Sequence, residues 1–157
     1  MIYELKNYNK KLKIYLDNYC LNRPFDDQSQ IKIELETRAK IYIQQLIKDD
    51  KLEMVTSFML RFENSVNPFD IRRDAISDFI NKYSSQFIGS DKLPELNDKI
   101  SEIKKSGIKQ KDAVHIACAI FAGCSYLLTT DKRMLNFKSC DIKIINPVDF
   151  ILELEEV

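Results

Sequence analysis

Two hydrophobic rhythms alternate along this chain. Short runs at Leu12–Leu16 (L-K-I-Y-L), Glu53–Ser57 (E-M-V-T-S), Gln86–Ile88, Ser125–Thr130 and Asp141–Ile145 read as strands. Between them, apolar residues recur every three or four positions, as on a helix. The helical stretches are Gln28–Lys48 (Ile31, Leu35, Ala39, Tyr42 and Leu46, with Ile33, Ile43 and Ile47), Phe58–Asn64, Asp70–Lys82 (Ile71, Ala75, Phe79, Ile80), Asp91–Lys105 (Leu93, Leu96, Ile100, Ile103) and Val148–Glu156. Gly107–Asp131 stands apart. Its helix has almost no polar side: Ala113, Val114, Ile116, Ala117, Ala119, Ile120 and Phe121 cover most of the circumference, so it belongs in the interior. The strand after it is apolar at Tyr126, Leu127 and Leu128, which suits an inner strand of a parallel sheet covered on both faces.

Turn and capping residues divide these elements. Pro24 biases Arg23 away from helix, and Asp26, Asp27 or Ser29 is placed to cap the helix that follows. Asn67-Pro68 ends one helix, Gly107 stops another, and Gly123 breaks the chain before the central strand. Lys132–Phe137 is a short helix or turn. Asn146-Pro147 puts asparagine at the N-cap and proline at the first position of the last helix. Strand and helix alternate with no internal repeat and no dividing linker, which predicts a parallel, doubly wound α/β sheet in one domain spanning 1–157. The polar residues 1–11 read as an N-terminal appendage.

Composition narrows the functional classes. Hydrophobic residues at 45% and charged residues at 31% describe a soluble globular protein. Lys+Arg and Asp+Glu are equal at 24 each, so a polyanion receives no global attraction and has to be held by a few local cations or by bound metal. No apolar run reaches the ~20 residues of a membrane span, and the mixed segment Met1–Lys13 lacks a secretory core. Cys20, Cys118, Cys124 and Cys140 form no C-x-x-C pair. With a single histidine in the chain, they read as reduced, mostly buried thiols of a cytoplasmic protein rather than zinc ligands.

The candidate chemistry lies in the acids. Ligands of open parallel sheets bind beyond the carboxyl ends of the strands. Asp17 and Asp131 each follow such an end, Glu63 lies one to two turns into the helix after the strand ending at Ser57, and Asp112 opens the helix leading to the Asp131 strand. Each has an ordinary alternative. A helix dipole favours Asp112, Asp131 can cap the next turn, Glu63 can be a solvated helix residue, and Asp17 can be paired structurally. His115, three residues after Asp112, reads as a hydrogen-bonded core histidine. Four carboxylates converging on one edge would repel one another, and an all-oxygen set calls for Mg²⁺ or Mn²⁺ rather than zinc.

The strand-ending L-D-N near the N-terminus, S-F-M-L-R-F-E (Ser57 to Glu63), K-D-A-V-H-I-A and L-L-T-T-D together resemble PIN-domain nucleases, in that family's order and spacing from Lys13 to Glu153. The opening I-Y-L-D-N-Y-C-L-N-R-P-F-D-D is similar to small stand-alone PIN proteins of bacteria and archaea. The resemblance implies a three-layer α/β/α sandwich around a parallel sheet, with Mg²⁺ or Mn²⁺ held by Asp17, Glu63, Asp112 and Asp131 for RNA cleavage. For such cleavage Thr130 is placed to orient Asp131 or touch phosphate, or is an ordinary strand residue; Arg23 or Lys111 is placed for the RNA backbone, with a solvated surface role as the alternative for each. Many members are toxins of toxin–antitoxin pairs and form homodimers, so an antitoxin and a second copy are the partners it suggests. The N-terminal segment departs from the family, whose members commonly begin at the first strand.

Two other classes share parts of this pattern. A phosphoaspartate protein also places an acid at a strand end, but the phosphatase version needs a second acid two residues on, where this chain has Tyr19. A non-catalytic binding module on the same scaffold is the other; zero net charge favours a protein partner over tight non-specific RNA binding.

Overall fold

The computed structural model describes residues 11–22 and 29–155. Five strands form one parallel sheet: β1 (Leu12–Leu16), β2 (Leu52–Ser57), β3 (Ser84–Ile88), β4 (Tyr126–Leu128) and β5 (Lys143–Ile145), in the order β3-β2-β1-β4-β5. β1 pairs with β2 from Leu12↔Leu52 to Tyr15↔Val55, and with β4 from Ile14↔Tyr126 to Leu16↔Leu128. The chain leaves β1 in one direction through β2 and β3, then returns to its other side with β4. Strand order therefore reverses at β1, where ligand crevices of open sheets form.

The helices are α1 (Asn18–Asn22), α2 (Ile31–Lys48), α3 (Phe58–Ser65), α4 (Asp70–Tyr83), α5 (Leu93–Lys104), α6 (Gln110–Phe121), α7 (Lys132–Leu135) and α8 (Pro147–Glu155), with a 3-10 turn at Ser90–Lys92 leading into α5. Successive strand side chains point to opposite faces, and β1 sorts the two cores. Tyr15 packs on one face with Val55, Leu127, Leu96 and Ile100 of α5, and Ala113–Ala119 of α6. Ile14 and Leu16 pack on the other with Met54, Leu128, Ile43 and Ile47 of α2, Ile76 and Ile80 of α4, and Phe150 of α8. The result is an α/β/α sandwich. Gly107 (φ 92) and Gly123 (φ 78) stop α5 and α6 in the left-handed region, where a side chain is strained. Asn146 Oδ1 accepts from Asp149 N (2.8 Å) and caps α8. Among the described residues, no helix is long and apolar enough to cross a membrane.

Several expectations shift. β1 keeps its expected bounds and the other strands move by one or two residues at one or both ends; β4 stops at Leu128, although Thr129 N still donates to Ile145 O (3.1 Å), and the Thr129 hydroxyl turns to Asp17. α2 starts at Ile31 with Gln30 as N-cap and no side-chain cap bond; Asp26 and Asp27 lie outside the described residues. Its buried face is Glu36, Thr37, Ala39, Lys40, Ile43 and Ile47, whereas Ile31, Leu35 and Tyr42 face solvent. α4 buries Ile76 and Ile80 and exposes Ile71 and Ala75. Phe121, at the end of α6, is also exposed. The stretch after Asp17, expected as turns, contains the one-turn helix α1. The expected appendage, residues 1–11, lies outside the described residues except for Lys11.

Candidate active site

Asp17 leaves β1 with its backbone N donating to Leu128 O (3.2 Å), which sets it on the β1–β4 boundary. Its Oδ1 accepts from Cys20 N (3.0 Å) and so caps α1; its Oδ2 accepts from the Thr129 hydroxyl. The carboxyl is 2% exposed. Burial pushes it up to about 6, while the bonds from Thr129 and Cys20 N and the nearby His115 oppose the rise. Thr129 Oγ1 also accepts from Asp131 N (3.0 Å), so one buried hydroxyl ties both strand-ending acids. The orienting threonine is thus Thr129; Thr130 lines the cleft. Asp131 caps α7, accepting from Arg133 N (2.9 Å).

Glu63 is placed by a chain of buried side chains. Ser57 caps α3, its Oγ accepting from Leu60 N (3.3 Å), and the same Oγ lies 2.7 Å from the Tyr15 hydroxyl. That hydroxyl is 2.5 Å from His115 Nδ1, and His115 Nε2 is 2.7 Å from Glu63 Oε1. His115 Nε2–H can donate to the Glu63 carboxylate, and the Tyr15 and Ser57 hydroxyls can turn to match Nδ1, so every group in the chain has a partner. Burial holds the Tyr15 phenol well above its usual range, which keeps the proton on it. His115 is the expected core histidine, with its outer nitrogen on a cleft acid.

Asp112 lies in the first turn of α6, one turn before His115. Partial burial raises its carboxyl, and the charges of Asp131 and Glu63 add to that, partly offset by His115 and Lys109. The Tyr19 phenol reports the whole group. Partial burial raises it first, then Asp131, Asp112, Asp17 and Glu63 in turn. All four acids therefore act on one region. Three of them, Glu63, Asp112 and Asp131, line a cleft of about 1140 Å³. Asp17 is buried and does not line it, although its neighbour Asn18 does. The walls add Asn18 and Tyr19 and a basic rim of Arg72, Lys109, Lys111 and Arg133. Lys111 Nζ also lies over the Phe62 ring at 5.5 Å. Arg23 lies outside the described residues.

The donor chemistry suits a hard divalent cation, although the acids form no closed cage. Among the described residues, no three His, Cys, Asp or Glu side chains meet as a metal cluster. Three of the acids hold partners within the chain: Asp17 accepts from Thr129 and Cys20, Glu63 meets His115, and Asp131 accepts from Arg133 N. A carboxylate oxygen holding one such bond keeps a second lone pair. An uncommitted oxygen lies beside them. Asn18 Oδ1 is buried and has no hydrogen-bond partner among the described residues, on a residue that lines the cleft. Buried amide oxygens are rarely left so, and a cation or a donor group would satisfy it. Adjacency to Asp17 was its only sequence signal.

No protein-family model matches the chain, and no curated protein matches its sequence. Its fold does match solved structures. FitAcB from Neisseria gonorrhoeae superposes with a TM-score of 0.53 at 15% identity, over 85% of this chain and 97% of that one. VapBC2 from Rickettsia felis, solved bound to a DNA fragment from their promoter, superposes with a TM-score of 0.54 at 14% identity, over 86% and 98%. At such identities the likeness is one of fold: a five-stranded parallel sheet between helical layers, as in PIN domains.

Proposed function

We propose that this chain is a metal-dependent endoribonuclease, the toxin of a toxin–antitoxin pair. The observation that carries this is the cleft at the strand-order reversal that Glu63, Asp112 and Asp131 line together with Asn18, the neighbour of Asp17, among lysines and arginines. Acids alone would repel a phosphodiester. A basic rim above an acidic floor attracts the backbone and still leaves room for neutralised acids beneath it. Asp17, Glu63, Asp112 and Asp131 would hold Mg²⁺ or Mn²⁺, with Asn18 Oδ1 as a further donor. When bound, such an ion polarises a phosphate and lowers the pKa of an attacking water. Arg72, Lys109, Lys111 and Arg133 would bind flanking phosphates, Thr130 lies within the cleft to meet one, and His115 holds Glu63 in place. The antitoxin partner and a homodimer are proposed from the sequence resemblance. The VapBC2 likeness supports a two-component system, since that pair was solved on its promoter DNA.

The test is cleavage of a mixed single-stranded and folded RNA pool in Mn²⁺, Mg²⁺ and EDTA, comparing wild type with Asp17→Asn and Asp112→Asn. Metal-dependent cutting that both substitutions abolish is expected. Unchanged rates in either variant would sink that acid's assignment; no cutting and no Mn²⁺ binding by wild type would sink the reading.

A binding module without catalysis is the second reading, favoured by the protein partners that Asp17, Glu63 and Asp131 already hold. A phosphoaspartate role is disfavoured, because Tyr19 stands two residues after Asp17, where the phosphatase version needs a second acid.

A further inference from the structure

Phe69 stands at the cleft mouth with its ring more than half exposed (56%). An exposed ring on a loose loop would call for no explanation. This one is fastened. Its backbone N donates to Asn67 Oδ1 (3.1 Å), the Asn67 amide donates to Asn22 Oδ1 on α1 (3.3 Å), and Arg73 Nη1 donates to the Asn67 carbonyl (3.3 Å). The turn between α3 and α4 is thereby tied both to the helix that follows Asp17 and to α4, with Pro68 stiffening it. The Arg72 guanidinium lies over the Phe69 ring, 4.4 Å from its centroid. Tyr19, equally exposed, lines the same cleft.

We infer that the Phe69–Arg72 pair is a stacking platform for an unpaired nucleobase, with Tyr19 as a further ring in the same cleft, so that it selects single-stranded over duplex nucleic acid. This rests on the nuclease reading of the acids. A nucleobase offers a flat polarisable face and carries a phosphate on each side; a fixed ring under a guanidinium matches the first, and the basic rim the second. In a duplex those faces are already stacked on their neighbours. The pair reads no base edge, so RNA and DNA strands share the recognised chemistry.

The experiment measures binding rather than cleavage. The full chain carrying Asp112→Asn is titrated by fluorescence anisotropy with labelled ten-nucleotide RNA, DNA of the same sequence, the duplex, and a strand of abasic sites. Single strands are expected to bind more tightly than duplex, with any RNA–DNA difference identifying the preferred source. Adding Phe69→Ala should weaken single-strand binding about 5- to 100-fold, the effect of losing one stacked base. Phe69→Trp should restore it, and the abasic strand should not distinguish the three proteins. Equal binding by Phe69→Ala overturns the inference, as does an equal loss on the abasic strand. A loss that instead follows a change of oligomeric state by light scattering also overturns it, assigning the ring to a protein interface. The two readings fail separately. RNA cut by wild type while Phe69→Ala binds normally removes only the platform; base-dependent binding without any cutting removes only the nuclease.

Discussion

His115 Nε2 lies 2.7 Å from Glu63 Oε1, and this contact closes a ring of side chains that begins and ends on one helix. Ser57 caps α3, passes through Tyr15 in β1 to His115 in α6, and returns to Glu63 on α3. The ring sets the spacing between the two helices that carry Glu63 and Asp112. Removing the imidazole takes one of its two partners from the buried Tyr15 hydroxyl, which keeps only Ser57, so His115→Ala should lower unfolding stability by about 1–3 kcal/mol. His115→Gln keeps an N–H for Glu63 and should lose less. Urea denaturation checks the order; three equal stabilities would mean that the ring contributes nothing.

Thr129 and Thr130 should behave differently despite adjacency. Thr129→Val removes the hydroxyl shared by Asp17 and Asp131 N, both at a buried edge, and should cost about 1–3 kcal/mol. Thr130→Val touches only the cleft surface and should stay within about 0.5 kcal/mol. Parallel thermal melts of the two variants decide it.

Lys40 on α2 is fully buried, and its Nζ has no hydrogen-bond partner among the described residues. Burial pulls its ammonium down from 10.5 to about 8, with Cys20 and Asp17 partly offsetting this. The unfolded chain keeps the proton to the higher value, so between about pH 8 and 10.5 it binds more protons than the fold, and wild-type stability should rise with pH across that window. Lys40→Met should flatten the rise and raise stability at pH 7 by roughly 3 kcal/mol at most. Denaturation at pH 7 and pH 9.5 tests both; a less stable Lys40→Met protein would show that the ammonium is held by contacts worth more than its burial costs.

Thiol chemistry should pick out one cysteine. Cys20, Cys118 and Cys124 are buried and Cys140 is exposed. Burial pushes the Cys118 and Cys124 thiols up to about 12, far from the reactive thiolate. Ellman's reagent should titrate one thiol in the native protein and four in denaturant. Fast native labelling of a second thiol would indicate local opening.

Legibility differs by element. α6 is apolar almost all round, which leaves it one outcome, burial between α5 and the sheet. α2 and α4 each carry two apolar stripes at helical spacing, such as Ile31, Leu35 and Tyr42 against Ala39, Ile43 and Ile47. Both stripes satisfy the 3.6-residue period, so only the neighbouring sheet and α8 choose between them. α1 has no apolar period; it forms where Asp17 Oδ1 accepts Cys20 N.

The sequence by itself determined the alternation of strands and helices, hence a parallel sheet between helical layers. It also determined the stops at Gly107 and Gly123, the cap at Asn146, and the positions of Asp17 and Asp131 just past strand ends. These are local consequences of side-chain period and backbone freedom. Only the tertiary structure decided that Thr129 joins Asp17 to Asp131, that His115 meets Glu63 across 52 residues, and that Asn18 and Lys40 keep buried atoms without partners among the described residues. Those contacts follow from β4 lying beside β1 at the sheet's reversal and from how α3 and α6 settle over it. They depend on distances in space that no spacing along the chain encodes.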